Sequence, residues 1–268
     1  MDLRLTGRRA LVTGSSSGIG AEIARMLARE GVRVVVHGRS IERAQAVASE
    51  IAAEGGHAAT ALGDLTVDTD IGNVVAAAEA AFHGIDILVN CAGGTEVEAV
   101  HGWLDSPGEE WLRSYQQNAV SAVRLAQAFV PAMRERGWGR VIQIASRMAD
   151  MPDPEFGPYA ASKAAVRNLT VSLAKELAGS GVTANAVAPG MIWTSMAATW
   201  FKQLAQERGS EDPRVGEEHA IRNLTRQPVR RAGRPADVAA AVCFLASPLA
   251  DYITGSTLRV DGGANPTA

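Results

Sequence analysis

Long apolar runs, clustered positive charge, cysteines and aromatic residues are all scarce in this 268-residue chain. No stretch approaches the roughly 20 apolar residues that a membrane-spanning helix needs, so the pattern holds no membrane span. Lys and Arg total 26 against 29 Asp and Glu, a net charge of −3 without a basic run. The electrostatic footprint of a nucleic-acid binder is therefore missing. The two cysteines, Cys91 and Cys243, lie far apart in sequence and cannot make a metal cluster by themselves, so no metal site is expected. We expect two buried thiols in a reducing compartment. The opening "MDLRLTGRRALVTGSSSG" loses its apolar run to Gly and Ser after "ALV" and does not read as a signal peptide. These features predict a cytoplasmic protein with a small-molecule partner.

A composition 47% hydrophobic supports one large domain over residues 1–268. Short apolar runs alternate with helix-period segments. "RALVT" precedes a helical stretch over Ile19 to Arg29, "VRVVVHG" precedes Ile41 to Glu54, and "HAATALG" precedes Val67 to Phe82. The order continues through "DILVN", a helix from about Pro107 to Arg136, "RVIQIA", Tyr159 to Ala178, "VTANAVA", Pro235 to Ala246 and "TLRV". Strands apolar throughout, each followed by a helix, predict a single-domain Rossmann-type α/β fold: a doubly wound parallel sheet of about seven strands with helices on both faces. Met191 to Arg234 breaks the rhythm, and its length and charge mark residues 191–234 as a candidate substrate lid.

The first strand runs into "TGSSSGIG". Gly14, Gly18 and Gly20 allow a tight turn and close approach to a diphosphate, while the next helix offers its free N–H groups and positive end. Gly14, Ser16, Ser17, Gly18, Ile19 and Gly20 are the candidate contacts. The spacing is Gly-x-x-x-Gly-x-Gly, and an ordinary strand-to-helix turn is the plain alternative. The second strand ends in His37-Gly38-Arg39-Ser40 with no carboxylate. An acidic residue there favours a free ribose 2′-hydroxyl and an arginine a 2′-phosphate, so Arg39 and Ser40 favour NADP(H) over NAD(H).

"YAASK" sets Tyr159 and Lys163 on one helix face just after Pro158. With "TGSSSGIG", "GDL", "NCAG", "QQNAV", "VIQIAS", "NAVAPGMIWT" and "RAGRPADVAAAVCFLAS" in this order, the sequence resembles the short-chain dehydrogenase/reductase family from Gly7 to Gly263. The resemblance implies a catalytic tetrad of Asn118, Ser146, Tyr159 and Lys163. A carbonyl accepting hydride needs a proton donor, and a tyrosine with an ordinary pKa of about 10 needs a cation beside it to stabilise phenolate. Lys163 is expected to supply that charge, to hold the nicotinamide ribose and so, with Tyr159, to line the cofactor. Ser146 is expected to hold the substrate oxygen, and Asn118 to fix the helix backbone and a water. Asp64 and Leu65 are expected to frame the adenine, Asn90, Ala92 and Gly93 to line the ribose side, and Pro189, Gly190, Ile192 and Thr194 to hold the carboxamide. Thr13 and Asn90 have a structural alternative as ties between strands. Cys91 and the triplet Arg147-Met148-Ala149 depart from the family's usual residues.

Trp193, Met196, Ala197, Trp200 and Leu204 recur at helical spacing, and with Trp103 and Met151 they suggest a roof over a bulky apolar ketone. Packing on the core or on another subunit is the competing reading. The family also contains β-ketoacyl carrier-protein reductases, which dock an acidic carrier. Arg134, Arg136 and Arg147 are the candidate contacts here, whereas Gly179-Ser180-Gly181 offers no charge. A third reading is a non-catalytic cofactor-binding sensor or scaffold. The resemblance also implies a homotetramer built through the helices around Asn118 and Tyr159.

Overall fold

Seven parallel strands in the order β3-β2-β1-β4-β5-β6-β7 form the sheet of the computed structural model, which describes residues 1–94 and 102–265. The strands are β1 (Arg9–Val12), β2 (Arg33–Gly38), β3 (His57–Leu62), β4 (Ile87–Asn90), β5 (Gly139–Ile144), β6 (Val182–Pro189) and β7 (Thr257–Val260). Every residue of β4, β5 and β6 is buried, which is why these segments carry apolar residues on both alternating faces. One face packs α1 (Gly18–Arg29), α2 (Ile41–Ala53) and α9 (Pro235–Ala246) through Ile23, Leu27, Val47, Val238 and Val242. The other packs α3 (Asp68–Phe82), α5 (Ser121–Glu135) and the end of α6 (Gly157–Glu176) through Val74, Leu125, Phe129 and Leu177. The expected doubly wound sheet is the observed one. Its order reverses between β1 and β4, and the crevice at such a switch point is where ligands bind in open α/β sheets.

The segment read as one helix from Pro107 to Arg136 is interrupted. α4 (Gly108–Tyr115) passes into a wide π-turn over Gln116–Val120 before α5 begins. The π-turn carries Asn118, a buried residue whose Nδ2 donates to the carbonyls of Ser114 and Gly94 and whose Oδ1 accepts from the Gly94 N–H. Such wide turns occur frequently at functional sites.

Residues 191–234 hold α7 (Ser195–Gln206), α8 (Pro213–His219) and a second π-turn over Ala220–Thr225. They build a core of their own from Phe201, Leu204, Ala220, Ile221 and Ala232, with Trp193 and Trp200 tilted against the Phe201 ring at 5.1 and 5.4 Å. A Cβ on Gly216 would overlap the Phe201 carbonyl oxygen, so this glycine sets the close approach of α7 and α8. Among the described residues, no helix is long and apolar enough to cross a membrane.

Candidate active site

The turn after β1 is built by glycines with no room for side chains. Gly14 has φ +65°, and a Cβ there would lie 2.8 Å from the Ala92 Cα. On Gly20 it would overlap the Gly14 carbonyl oxygen. Upstream N–H groups are satisfied within the protein: Thr13 donates to Val89, Gly14 to the His37 ring and Ser15 to the His37 carbonyl. The Ser17 at the start of α1 makes no side-chain cap, in contrast to Ser40 on α2 and Thr194 on α7. The N-terminus of α1 thus keeps donors free for an anion, as a dinucleotide diphosphate requires.

The expected adenosine side gathers at the tip of β2. Ser16 packs against Gly38, whose missing Cβ would sit 2.7 Å from the Ser16 Cβ. Arg39 is exposed and lies 3.7 Å from Asp64. Asp64 accepts from the Thr66 N–H and hydroxyl, which hold its carboxyl below the usual range, and Leu65 is buried beside it. Ser40 accepts from the Arg43 N–H and donates to Glu42.

On the other side of the crevice, Thr13 Oγ1 accepts from the N–H groups of Cys91 and Ala92, the structural role expected of it. Asn90 Nδ2 donates to the Ala122 carbonyl of α5 at 3.4 Å, while its buried Oδ1 has no hydrogen-bond partner among the described residues. Gly93 packs against the Asn118 side-chain oxygen Oδ1, and a Cβ added to it would lie 3.6 Å from the Lys163 ammonium. Pro189 ends β6, and Gly190 follows with no space for a Cβ against Asp261. Ile192 bridges to Gly233, and the Thr194 methyl comes within 3.8 Å of a Cβ built on Gly18. Residues from three distant stretches therefore surround one crevice.

Asn118, Ser146, Tyr159 and Lys163 meet at the carboxyl end of β5. Lys163 Nζ donates to the Ile144 carbonyl at 2.8 Å and lies 5.7 Å from the centroid of the Tyr159 ring. Ser146 accepts from the Met148 N–H at 3.1 Å, and its side chain faces the Tyr159 phenol closely enough to favour the phenolate. In the chain without its cofactor, desolvation raises the Tyr159 phenol above its ordinary value, and the Ser146 side chain offsets only part of this. Burial also lowers Lys163 to about 8 and pushes the neighbouring Cys91 thiol up to about 11. In the protein alone the phenol keeps its proton.

Trp103 lies elsewhere than expected. It meets Trp111 edge-on at 5.7 Å and lies against Gly157. With Met148, Pro152 and Ala164 these residues line an apolar hollow of about 520 Å³. Gly157, Ala160, Ala161 and Ala164 also line it, and at 100° per residue their mean direction on α6 is about 130° from that of Tyr159 and Lys163. Of the expected apolar roof, Trp193, Ala197, Trp200 and Leu204 are instead used inside the 191–234 segment, while Met196 stays exposed.

Sequence reading assigned His37 no role. It is buried, and burial lowers it from 6.5 to about 4, so its ring is neutral. The available signal was a polar residue ending an otherwise apolar strand. Because the unfolded chain takes up a proton near 6.5 and the folded ring only near 4, its stabilising contribution is full above 6.5 and is lost as pH falls to about 4. The expected loss is roughly 3 kcal/mol. Urea melts across this range test it, since a His37→Asn variant should show a shallower acid decline than the wild-type chain.

A glycine turn at the head of a parallel sheet, beside a tyrosine and lysine one helical turn apart, defines a nucleotide-dependent oxidoreductase of the Rossmann class. The chain belongs to the short-chain dehydrogenase/reductase family: the short chain dehydrogenase model matches residues 8–205. It is 37% identical over 261 residues to a 3-oxoacyl-[acyl-carrier-protein] reductase of Vibrio cholerae serotype O1, covering 97% of this chain and 98% of the other. Among solved structures, L-sorbose reductase of Gluconobacter frateurii in complex with NADPH and L-sorbose matches with a TM-score of 0.94 and 32% identity over the whole of both chains. A 7α-hydroxysteroid dehydrogenase in complex with NADH matches with a TM-score of 0.82 and 31% identity, over 98% of this chain and 96% of that one.

Proposed function

We propose that this protein transfers a hydride between NADP(H) and a carbonyl or secondary-alcohol substrate, with Tyr159 as acid and base. The observation that carries the reading is the meeting of Ser146, Tyr159 and Lys163 beside the open N-terminus of α1. Gly14, Ser16, Ser17, Gly18, Ile19 and Gly20 hold the diphosphate, Asp64 and Leu65 the adenine side, and the stretches 92–93 and 189–194 the nicotinamide end. When bound, the reduced nicotinamide supplies the hydride. Ser146 holds the substrate oxygen, and the Tyr159 hydroxyl, protonated at neutral pH as any phenol is, gives up its proton to that oxygen. Lys163 steadies the charge left on the phenol, and Asn118 fixes the Gly94 backbone beside it. A panel of ketones with NADPH and NADH, followed by nicotinamide absorbance, tests this. Tight cofactor binding without turnover of any carbonyl would turn the reading into that of a sensor.

Arg39 supports the choice of NADP(H), being exposed, with only a 3.7 Å pairing to Asp64. The relatives bind both cofactors, NADPH in the sorbose reductase and NADH in the hydroxysteroid dehydrogenase. Arg39→Asp is expected to lower kcat/KM with NADPH about 10- to 100-fold while leaving NADH within a few-fold. An unchanged ratio between the two cofactors would remove Arg39 from the 2′-phosphate site.

Residues 191–234 act as the substrate lid in this reading. Met196, exposed, and Met151 favour an apolar ketone, with contact area smaller than the sequence suggests because both lid tryptophans pack inward. Reduction of a carrier-bound β-ketoacyl group is the second reading, and the Vibrio cholerae relative favours it. Against it, Arg134 pairs with Glu176 at 3.3 Å and Arg136 with Asp86 at 3.6 Å, so two of the three proposed docking cations are engaged within the chain. The reading includes a homotetramer and a cytosolic location, the latter from two free thiols. Exposed Leu104, Leu112, Tyr115 and Val171, beside the apolar hollow of α6, supply a face for self-association. Sedimentation velocity is expected to give a tetramer, and a monomer at micromolar concentration would refute that part.

A further inference from the structure

His37 joins two parts of the crevice that are far apart in sequence. Its Nδ1 accepts from the Gly14 N–H at 3.0 Å, and its Nε2 lies 3.2 Å from the Gly63 carbonyl. With Nδ1 accepting, the single ring proton must sit on Nε2 and is donated to Gly63. The same residue's N–H donates to the Ser15 hydroxyl at 2.9 Å, and its carbonyl accepts from the Ser15 N–H at 2.9 Å. Ser15 is fully buried and donates its hydroxyl to Val12. The one histidine thus takes both N–H groups at the start of the glycine turn.

Gly14 opens the diphosphate-binding turn, and Gly63 directly precedes Asp64 on the adenine side. A ring held at both nitrogens fixes the distance between these two ends. We propose that His37 is a positioning residue for the adenine dinucleotide: it sets the spacing between the diphosphate turn and the adenine turn, so that one rigid ligand meets both. The inference rests on the cofactor reading above and extends it to a residue that touches neither the substrate nor the reacting atoms.

The role differs from simple packing in what it predicts for ligands of different length. Adenosine 2′-phosphate occupies only the adenine end, whereas NADP⁺ spans both. Leucine fills the ring's volume without either hydrogen bond, and asparagine offers an acceptor to Gly14 but does not reach Gly63.

Binding of both ligands to the wild-type, His37→Leu and His37→Asn proteins is measured by tryptophan fluorescence and calorimetry, with circular dichroism as the check on folding. Expected for His37→Leu is about a tenfold rise in Kd for NADP⁺ and less than about twofold for adenosine 2′-phosphate. His37→Asn should recover part of the NADP⁺ affinity, and in both variants the loss should fall on the cofactor KM and not on kcat at saturating cofactor. Should His37→Leu not fold, the same split between long and short ligand, about threefold, is expected in His37→Asn. Equal weakening of both ligands, or no change in either, overturns the inference. A wild-type protein that binds adenosine 2′-phosphate and NADP⁺ not at all overturns the cofactor reading as well, which distinguishes the two failures.

Discussion

Replacing Tyr159 by phenylalanine is expected to lower kcat for carbonyl reduction by about 10²- to 10⁴-fold, the usual contribution of a positioned proton donor. The ring remains, so packing is kept, while the hydroxyl that faces Ser146 is lost. NADP⁺ affinity should change little, because the glycine turn and the tip of β2 stay intact. Burial acts on both members of the pair in the direction that keeps them neutral, raising the phenol and lowering Lys163 to about 8. Reduction should therefore be supported at neutral pH, where the phenol is protonated and the ammonium charged, and should decline as pH passes about 8 and Lys163 loses its proton. The reverse oxidation should gain as the phenol is titrated. Stopped-flow measurement of single-turnover rates across pH checks both. A Tyr159→Phe enzyme that reduces its best ketone at the wild-type rate would end the proposal for this site.

Gly20→Ala is expected to raise the Kd for NADP⁺ a hundredfold or more, for a reason unrelated to proton transfer. The added methyl would occupy the space of the Gly14 carbonyl oxygen and approach its carbon to 2.8 Å. Both are backbone atoms, and Gly14 has no slack, being held at φ +65° between Ala92 and the His37 ring. The turn must move as a unit, and displacements of about 1 Å in a binding constellation cost on the order of 10²-fold. Overpacking adds a loss of stability of about 1–3 kcal/mol. Calorimetric titration with NADP⁺ and a parallel thermal melt separate the two effects. Tight binding by a stable Gly20→Ala protein would mean that the diphosphate does not sit on this turn.

Strands and the glycine turn were legible because their causes are local. "RALV" and "VRVVVHG" are apolar on both faces, as a covered parallel strand demands, and glycines at 14, 18 and 20 can be read for conformational freedom directly. Tyr159 and Lys163 were legible because i and i+4 share a helix face. The split between α4 and α5 was not, since Gln116–Val120 keeps an ordinary helical composition and the extra residue in the turn arises from contacts with Gly94 and Ser114. The desolvation that raises Tyr159 in the chain alone was hidden for a related reason. Spacing reports a neighbouring charge, whereas desolvation depends on what covers the hydroxyl. Trp103 was misplaced because the hollow it lines is closed by Pro152 and Ala164, residues whose nearness appears only once α6 is in position. His37 needed three separate elements before its partners existed.

The small core around Phe201 has a consequence for how this enzyme could diversify. The two ends of residues 191–234 are drawn together by the Ile192–Gly233 bridge, and the segment is held internally by its own aromatic cluster. A unit organised in this way is expected to tolerate exchange of its outward side chains, Met196 foremost, without disturbing Ser146, Tyr159 and Lys163. Under the proposed function, selection for a new substrate therefore has a route that leaves the proposed proton donor and dinucleotide turn untouched, and evolved or designed variants with altered range are expected to concentrate their changes there.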